Sequence, residues 1–400
     1  MDRFGDKICC NPTVKLKKQE SYPVIDIDKI TPGYKAVRSV ASIEYTGQGG
    51  AKFQDHDVLF ARITPCLENG KMAIADTEGQ NGIGSTELFV FRGIDGVSDT
   101  DYVYYLLCMK HIRQLAANSM TGASGRQRAD LDFIKRIQWD FPDIEMQKKI
   151  ASVLSAYDNL IEVNNKRIKV LEQMAENLYK EWFVRFRFPG HEKADFENGI
   201  PKGWAYRRAD EVIDFNPTLK TGNQTEFTII PMEALSTNSM VLDSGCFVRQ
   251  DSISGRRSQN GDTLLAKITP CLENGKTGFV MGMPENEVLG GSTEFVVMRS
   301  KALTPHYVYC IARSYYFRQT AILSMNGADG RQRVDEDKLK STKILQPEKT
   351  VLDHFETIVT PIFDGVYQMV QENKNLIQQR DLLLPRLMSG KLEVQYALND

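Results

Sequence analysis

Between Ile150 and Trp182, apolar side chains fall at Ile150, Leu154, Tyr157, Ile161, Ile168, Leu171, Ala175, Leu178 and Trp182. With Asn164 included, the steps alternate between four and three without a break, which is the period of a coiled-coil seam. The pattern returns at Leu352, Phe355, Val359, Ile362, Val366, Met369, Asn373, Leu376, Arg380, Leu383 and Leu387. Pro361 and Gly365 are expected to bend or weaken this second helix early, and Pro385 to end its regular part. Two seams of similar length in one chain pack most simply against each other. A helix of about 40 residues spans on the order of 60 Å, so the pair would be a rigid antiparallel spacer. Each seam contains one asparagine, Asn164 or Asn373. A buried amide destabilises an apolar seam unless it is paired, and so fixes register. The alternative is an asparagine that faces water at a loose point of the seam. Both readings stand at this level.

Ahead of each seam the pattern is shorter in period and punctuated by glycine. Asp57 to Ile63 and Glu87 to Phe91 predict short strands. Tyr105, Leu106, Met109, Ile112 and Leu115 keep helical spacing and predict one helix from about Tyr102 to Ala117. The stretch from Arg185 to Trp204 carries Pro189, Gly190, Gly199, Pro201 and Gly203, the composition of a linker.

These patterns occur twice because the chain is a tandem repeat. Asp57 to Lys71, DVLFARITPCLENGK, returns from Asp262 to Lys276 as DTLLAKITPCLENGK, an offset of 205 residues. At the same offset Asn11-Pro12-Thr13 matches Asn216-Pro217-Thr218, Tyr102-Val103-Tyr104 matches Tyr307-Val308-Tyr309, and Gly125-Arg126-Gln127-Arg128 matches Gly330-Arg331-Gln332-Arg333. Gly84-Ser85-Thr86-Glu87 recurs at Gly291-Ser292-Thr293-Glu294, two residues out of step, and the shift is given back before Tyr307. Such a period is too long for a solenoid. Each repeat is a domain followed by a helix, which gives domains at 1–142 and 205–347, helices at 143–186 and 348–388, a linker at 187–204 and a tail at 389–400. The fold class is mixed α/β (α+β): two globular domains separated by two long helices, in a pseudo-twofold tandem repeat. Thr13 to Gln54 differs from Thr218 to Gln259 far more than the shared blocks differ. One scaffold therefore carries two different surfaces.

Composition narrows the function classes. A hydrophobic fraction of 42% supports real cores, and no apolar run approaches the ~18 residues of a membrane span. Seven cysteines without a CxxC pair argue against a disulfide framework or zinc ribbon, and a reducing cytoplasm fits. The net charge of −2 argues against a nucleic-acid binder, although a basic face can sit on a neutral chain. Catalytic constellations are missing. The Asn-Pro pairs lack the rest of an amino-methyltransferase motif and read as turns or strand starts. Gly275-Lys276-Thr277 lacks the glycine a phosphate loop needs, that position being Pro270. Glu68 and Glu273 have no second repeated acidic cluster with which to hold a metal. The five histidines are unshared between copies, and Cys66 and Cys271 read as small buried core residues.

What remains is basic and polar. The loops 121–128 and 326–333 bring Arg126, Gln127 and Arg128, and Arg331, Gln332 and Arg333, to glycine-freed turns, with Ser124 in the first. Arginine can read guanine bidentately, glutamine can read adenine, and either can hold a phosphate. The alternative is that these arginines pair with acids such as Asp130 and Asp335 to fix the fold. Lys71 and Lys276 carry the same ambiguity. Base discrimination is expected in the divergent regions, where Tyr34 to Lys52 and the run at Arg256 and Arg257 are candidates. An enzyme and a protein-binding scaffold are the competing classes; turnover by the chain alone would mark the first, and partner binding without a DNA footprint the second.

Taken together, these features resemble the specificity (S) subunit of a Type I restriction-modification system. The resemblance covers nearly the whole chain. It rests on the paired Asp-x-Leu-x-Ala-Arg/Lys-type strands, the Gly-Ser-Thr-Glu blocks and the long helix after each domain. It extends to Pro142 to Ile150 with Gln147 and Lys148, to Trp182-Phe183-Val184-Arg185-Phe186 with Gly199 to Trp204, and to Leu384-Pro385-Arg386-Leu387-Met388-Ser389-Gly390. It implies two target recognition domains, each reading one half of a split, asymmetric site on double-stranded DNA, and helices that set the gap. It also implies two methyltransferase (M) subunits and restriction (R) subunits as partners. S-adenosylmethionine, ATP and Mg would belong to those partners, with no cofactor or metal in this chain. Trp204 precedes the second copy, whereas the chain begins just after the equivalent point of the first. The first domain is thus expected to lack that opening strand or turn, with the tail after Ser389 the candidate to cover its edge.

Overall fold

A computed structural model describes residues 1–123, 125–328 and 330–394. It divides into two compact units: Met1–Val163 together with the segment that begins at Asn373, and Asn164–Glu372. Each unit combines one globular domain with parts of both long helices.

In the first unit, a five-stranded sheet has the order Ile8–Cys10, Leu88–Gly93, Val58–Ala61, Met72–Asp76, Ala36–Arg38, antiparallel except at its last pair. Strands Val58–Ala61 and Leu88–Gly93 are buried on both faces, which explains why they read as continuous apolar runs. Leu59 and Val90 face one core with Ile25 and Phe53, while Phe60 and Phe91 face another with Tyr102 and Leu106. The second core also takes Ile150 and Leu154 from the first long helix and Leu384, Leu387 and Met388 from the second. A four-stranded sheet, ordered Ser42–Glu44, Ser21–Ile25, Gly82–Gly84, Ala51–Phe53, holds the divergent segment.

The second unit repeats this plan. Its main sheet is ordered Ile213–Phe215, Phe295–Ser300, Thr263–Ala266, Thr277–Phe279. The register is the same: Leu59 pairs with Val90, and Leu264 with Val297. The smaller sheet has three strands, Val248–Gln250, Phe227–Ile230 and Gly290–Gly291.

The long helices run Ile144–Tyr179 and Lys349–Met388. In the second unit, Asn164 meets Glu372, Leu171 lies against Gly365, and Trp182 packs on Phe355. Rising numbers on one helix meet falling numbers on the other, so the pair is antiparallel, as the seams predict. Pro361 and Gly365 do not interrupt the second helix, and Pro385 does not end it. Phe355, Val359, Phe363 and Val366 are fully buried around the first two residues, and Leu384, Leu387 and Met388 are buried around Pro385. Burial of one such side chain is worth about 1.5–3 kcal/mol, comparable to the ~3 kcal/mol a helix-interior proline costs. A Cβ at Gly365 would stand 3.7 Å from Leu171, an ordinary contact, so the helix approach there does not demand glycine. Asn164 and Asn373 are both buried, which removes the water-facing alternative; Asn164 Nδ2 donates to Glu372 Oε2 at 2.9 Å.

Three further expectations are corrected. The helix predicted from Tyr102 to Ala117 is two helices, Thr100–Cys108 and Lys110–Asn118, broken at the extended Met109. The break recurs at Ser314, between Pro305–Arg313 and Tyr315–Leu323, where the serine caps the second helix. Apolar spacing continues through the break, so periodicity alone does not register it. The opening strand of the first domain is shortened rather than missing: Asp2–Arg3 pairs with Gln138–Trp139, where the second domain pairs Ala205–Arg208 with Lys343–Gln346. Val394 of the tail does pack on the first unit's core. Cys66 and Cys271 are half-buried, not buried. The linker after Phe186 is ordered, with a hairpin pairing Phe196–Glu197 and Ile200–Pro201 and with Phe188 and Trp204 packed in the core.

Candidate nucleic-acid interface

The most similar parts of the two copies form one surface in each unit. Asn11 and Asn216 adopt positive φ. Each accepts from and donates to the neighbouring strand, Asn11 at Val90 and Asn216 at Val297. The Asn-Pro pairs are turns that follow the strands Ile8–Cys10 and Ile213–Phe215, not strand starts. Buried Asp57 and Asp262 each take two hydrogen bonds from one guanidinium, of Arg92 at 2.6 and 2.7 Å and of Arg299 at 2.8 Å. These pairs anchor the hairpin that carries the shared ITPCLENG turn. The turn closes identically in both copies, with Leu67 N donating to Ile63 O and Leu272 N to Ile268 O.

Over that turn lies the arginine loop. Thr64 N donates to Gln127 O at 3.0 Å, and Thr269 N to Gln332 O at 3.1 Å. Thr121 and Arg128, and likewise Asn326 and Arg333, pair across the neck of the loop. Gly125 and Gly330 take φ of 80° and 78°, values that L side chains rarely adopt. Ser124 lies outside the described residues. Arg126 and Arg331 are exposed and make no ion pair or hydrogen bond through their side chains among the described residues; Gln127 and Gln332 beside them are half-buried with their amides uncommitted.

Arg128 and Arg333 are differently employed. Arg128 Nη2 lies 2.6 Å from Glu87 Oε1 and its Nε 2.9 Å from Oε2; Arg333 and Glu294 repeat the fork at 2.7 and 3.0 Å. The fork holds the Glu87 and Glu294 carboxyls below their ordinary range. Asp130 and Asp335, the acids offered as alternative partners of the arginines, instead cap the short helices that follow, accepting from Asp132 N and Asp337 N. Lys71 Nζ donates to Ile27 O at 2.9 Å and Lys276 Nζ to Met232 O at 3.1 Å. These two carbonyls stand at equivalent positions, so each lysine fastens the divergent segment to the shared scaffold. Arg256 Nη2 is 2.9 Å from Glu336 Oε1, and Arg257 donates to Leu219 O.

Sequence reasoning missed Glu87, Glu294, Glu336 and Arg62. The glutamates of the Gly-Ser-Thr-Glu blocks carried a signal, because they recur where the arginines do. Arg62 lies over the Phe89 ring at 4.7 Å, and its Nε has no hydrogen-bond partner among the described residues. No group of three or more histidines, cysteines or acids that could hold a metal occurs among the described residues, and no described helix is long and apolar enough to cross a membrane.

Comparison with known proteins shows what the chain that carries this surface is similar to. The type I restriction modification DNA specificity domain matches residues 8–173, which include the first arginine loop and most of the first long helix. The type I restriction enzyme MjaVIII specificity subunit of Methanocaldococcus jannaschii is 23% identical over 98% of this chain and 92% of its own length. The MjaIX specificity subunit of the same organism is 25% identical over 76% and 72%. This chain is similar to the specificity subunits of type I restriction-modification systems along nearly its whole length. The crystal structure of a type I S subunit from M. genitalium has the same fold, with a TM-score of 0.55 at 14% identity over 96% of this chain and 94% of that one.

Proposed function

We propose that this chain is a specificity subunit that directs a type I restriction-modification complex to DNA, each unit reading one half of a split, asymmetric site and the long helices setting the gap between halves. The observation that carries the reading is the pair of matched loops with free donors, Arg126 and Gln127 in one unit and Arg331 and Gln332 in the other. A guanidinium and an amide without intramolecular partners can be aimed at base edges or phosphates without first breaking a bond. Arg128 and Arg333 support those loops from beneath, each still 44% and 52% exposed and within reach of a phosphate. Lys71 and Lys276 keep the divergent segments in place, and those segments make the two halves different.

The partners in this reading are double-stranded DNA, two methyltransferase subunits and restriction subunits. S-adenosylmethionine, ATP and Mg act on the partners, and this chain binds DNA and positions them. Mixing the chain with its methyltransferase partner and mapping the methylated sites tests the role. Two short conserved blocks at a fixed gap are expected. Assembly without any sequence preference would exchange this reading for a protein scaffold, and methyl transfer by the chain alone for an enzyme.

A further inference from the structure

We propose that Glu336 is a positioning residue of the second unit, holding Arg256 ready to read that unit's half of the DNA site; the inference rests on the DNA-directing role above. Glu336 gathers three donors from three segments. Its Oε1 accepts from Arg256 Nη2 and Lys267 Nζ, both at 2.9 Å, and its Oε2 from Asn216 Nδ2 at 2.8 Å. Arg256 uses only one of its nitrogens there. Its Nε and Nη1 have no partner among the described residues, and the side chain is 32% exposed.

The backbone beneath Arg256 is equally fixed. Arg256 N donates to Gly291 O at 3.0 Å. The preceding Gly255 approaches so closely that a Cβ would come within 1.7 Å of the same carbonyl. Gly291 opens the block that ends at Glu294, the partner of Arg333. Arg256 and Lys267 add to Arg333 in pulling the Glu294 carboxyl down, so all these charges share one surface. Arg256 thus stands next to the arginine loop, within the divergent segment. An arginine fork fixed before contact loses less side-chain freedom on binding and discriminates bases better than a mobile one.

The fold does not require the cluster. At the equivalent positions the first unit has Leu131 for Glu336, Ala51 for Arg256 and Arg62 for Lys267. The shared strands of the main sheet and the loop form without it. A network that one copy of a scaffold lacks serves what differs between the copies, and here that is the sequence read.

The test uses the full chain assembled with its methyltransferase partner, and maps methylated sites for wild type, Glu336→Leu, Glu336→Gln, Arg256→Ala and the double variant Glu336→Leu/Arg256→Ala. Glu336→Leu installs the residue of the first copy. It is expected to lower discrimination about tenfold or more at bases of one block, leaving the other block untouched. Arg256→Ala should relax the same bases, and the double variant should be no worse than Arg256→Ala, because Glu336 acts through Arg256. Glu336→Gln, which preserves shape and one acceptor, should fall between. A Glu336→Leu complex that slows at all sites with unchanged base preference, or adds its effect to that of Arg256→Ala, would overturn the inference in favour of a structural role. A selective wild type with unaltered variants removes the inference alone. A wild type with no sequence preference removes the DNA-directing role and this inference with it.

Discussion

Where the long helices meet the first unit, Asp158 accepts from Tyr105 and Arg380, and Lys35 reaches both Ser155 at 2.7 Å and Asp101. At the equivalent positions of the second unit stand Phe363, Cys310, Ala175, Met240, Thr360 and His306. There the His306 ring packs on Phe279 and Phe363, with centroids 4.9 and 4.3 Å away, and Phe363 on Tyr309 at 5.4 Å. One root of the helix pair is thus mainly ionic and the other mainly aromatic, with one His306–Glu356 contact at 2.8 Å, on the same backbone plan. Replacing a buried ion pair by packed apolar groups is often neutral in stability, which is why duplication can exchange one for the other. Breaking either half-way is a different matter, because a lone buried charge or an unfilled cavity has no compensation.

The largest effects should come from breaking each root separately. Asp158→Ala leaves Arg380, whose side chain is only 11% exposed, with only the exposed Asp381 as an ion-pair partner, and is expected to destabilise the first unit by about 3 kcal/mol, the low end for a broken buried pair. Phe363→Ala should destabilise the second by about 3–5 kcal/mol through the cavity it opens. Hydrogen exchange resolved by segment measures both, and each loss of protection should be confined to its own unit. Asp158→Phe combined with Arg380→Ala and Tyr105→Cys rebuilds the aromatic solution in the first unit and should recover most of the Asp158→Ala loss. Failure to recover would mean that the two roots are not interchangeable.

The lysine tethers come next. Lys71→Met and Lys276→Met each remove a charged hydrogen bond to a half-buried carbonyl, a change of about 1.5–3 kcal/mol. Exchange should rise in the smaller sheet of the altered unit. The smallest effect is that of pH on the ionic root. Asp101 is pulled down to about 2: burial opposes its ionisation, but hydrogen bonds from His56 and Lys35 outweigh burial. Its contribution is full above the ordinary carboxyl range and fades as pH falls toward 2. The bond to Asp101 raises His56 above its ordinary 6.5. That contribution is full below 6.5 and fades as pH rises through the raised value. His56→Asn should therefore flatten the stability of the first unit above pH 6.5, while the second, with Gly261 at that position, keeps its profile.

Much of this was legible in the sequence, because duplication acts as its own control. The seams could be read from a three-four alternation sustained over more than four heptads, and the arginine loops from their recurrence. Partner choice could not. Arg128 is two residues from Asp130 yet binds Glu87, forty-one positions from Glu87 to Arg128 along the chain, because the hairpin carries Glu87 beneath the loop and the helix start consumes Asp130. Proline rules likewise predicted a disturbed helix at Pro361, and buried neighbours on its inner face overrode them. The divergent segments, Thr13 to Gln54 and Thr218 to Gln259, showed where the units differ but not that Lys71 and Lys276 hold them by the same carbonyl.

The central claim is that those segments choose the sequence each unit reads. It is tested most directly by a chain in which Thr13 to Gln54 is replaced by Thr218 to Gln259, assembled with the methyltransferase partner and profiled for methylated sites. The account expects the block read by the first unit to change to the base preference of the second, with the other block intact. An unchanged first block in the assembled complex would contradict it.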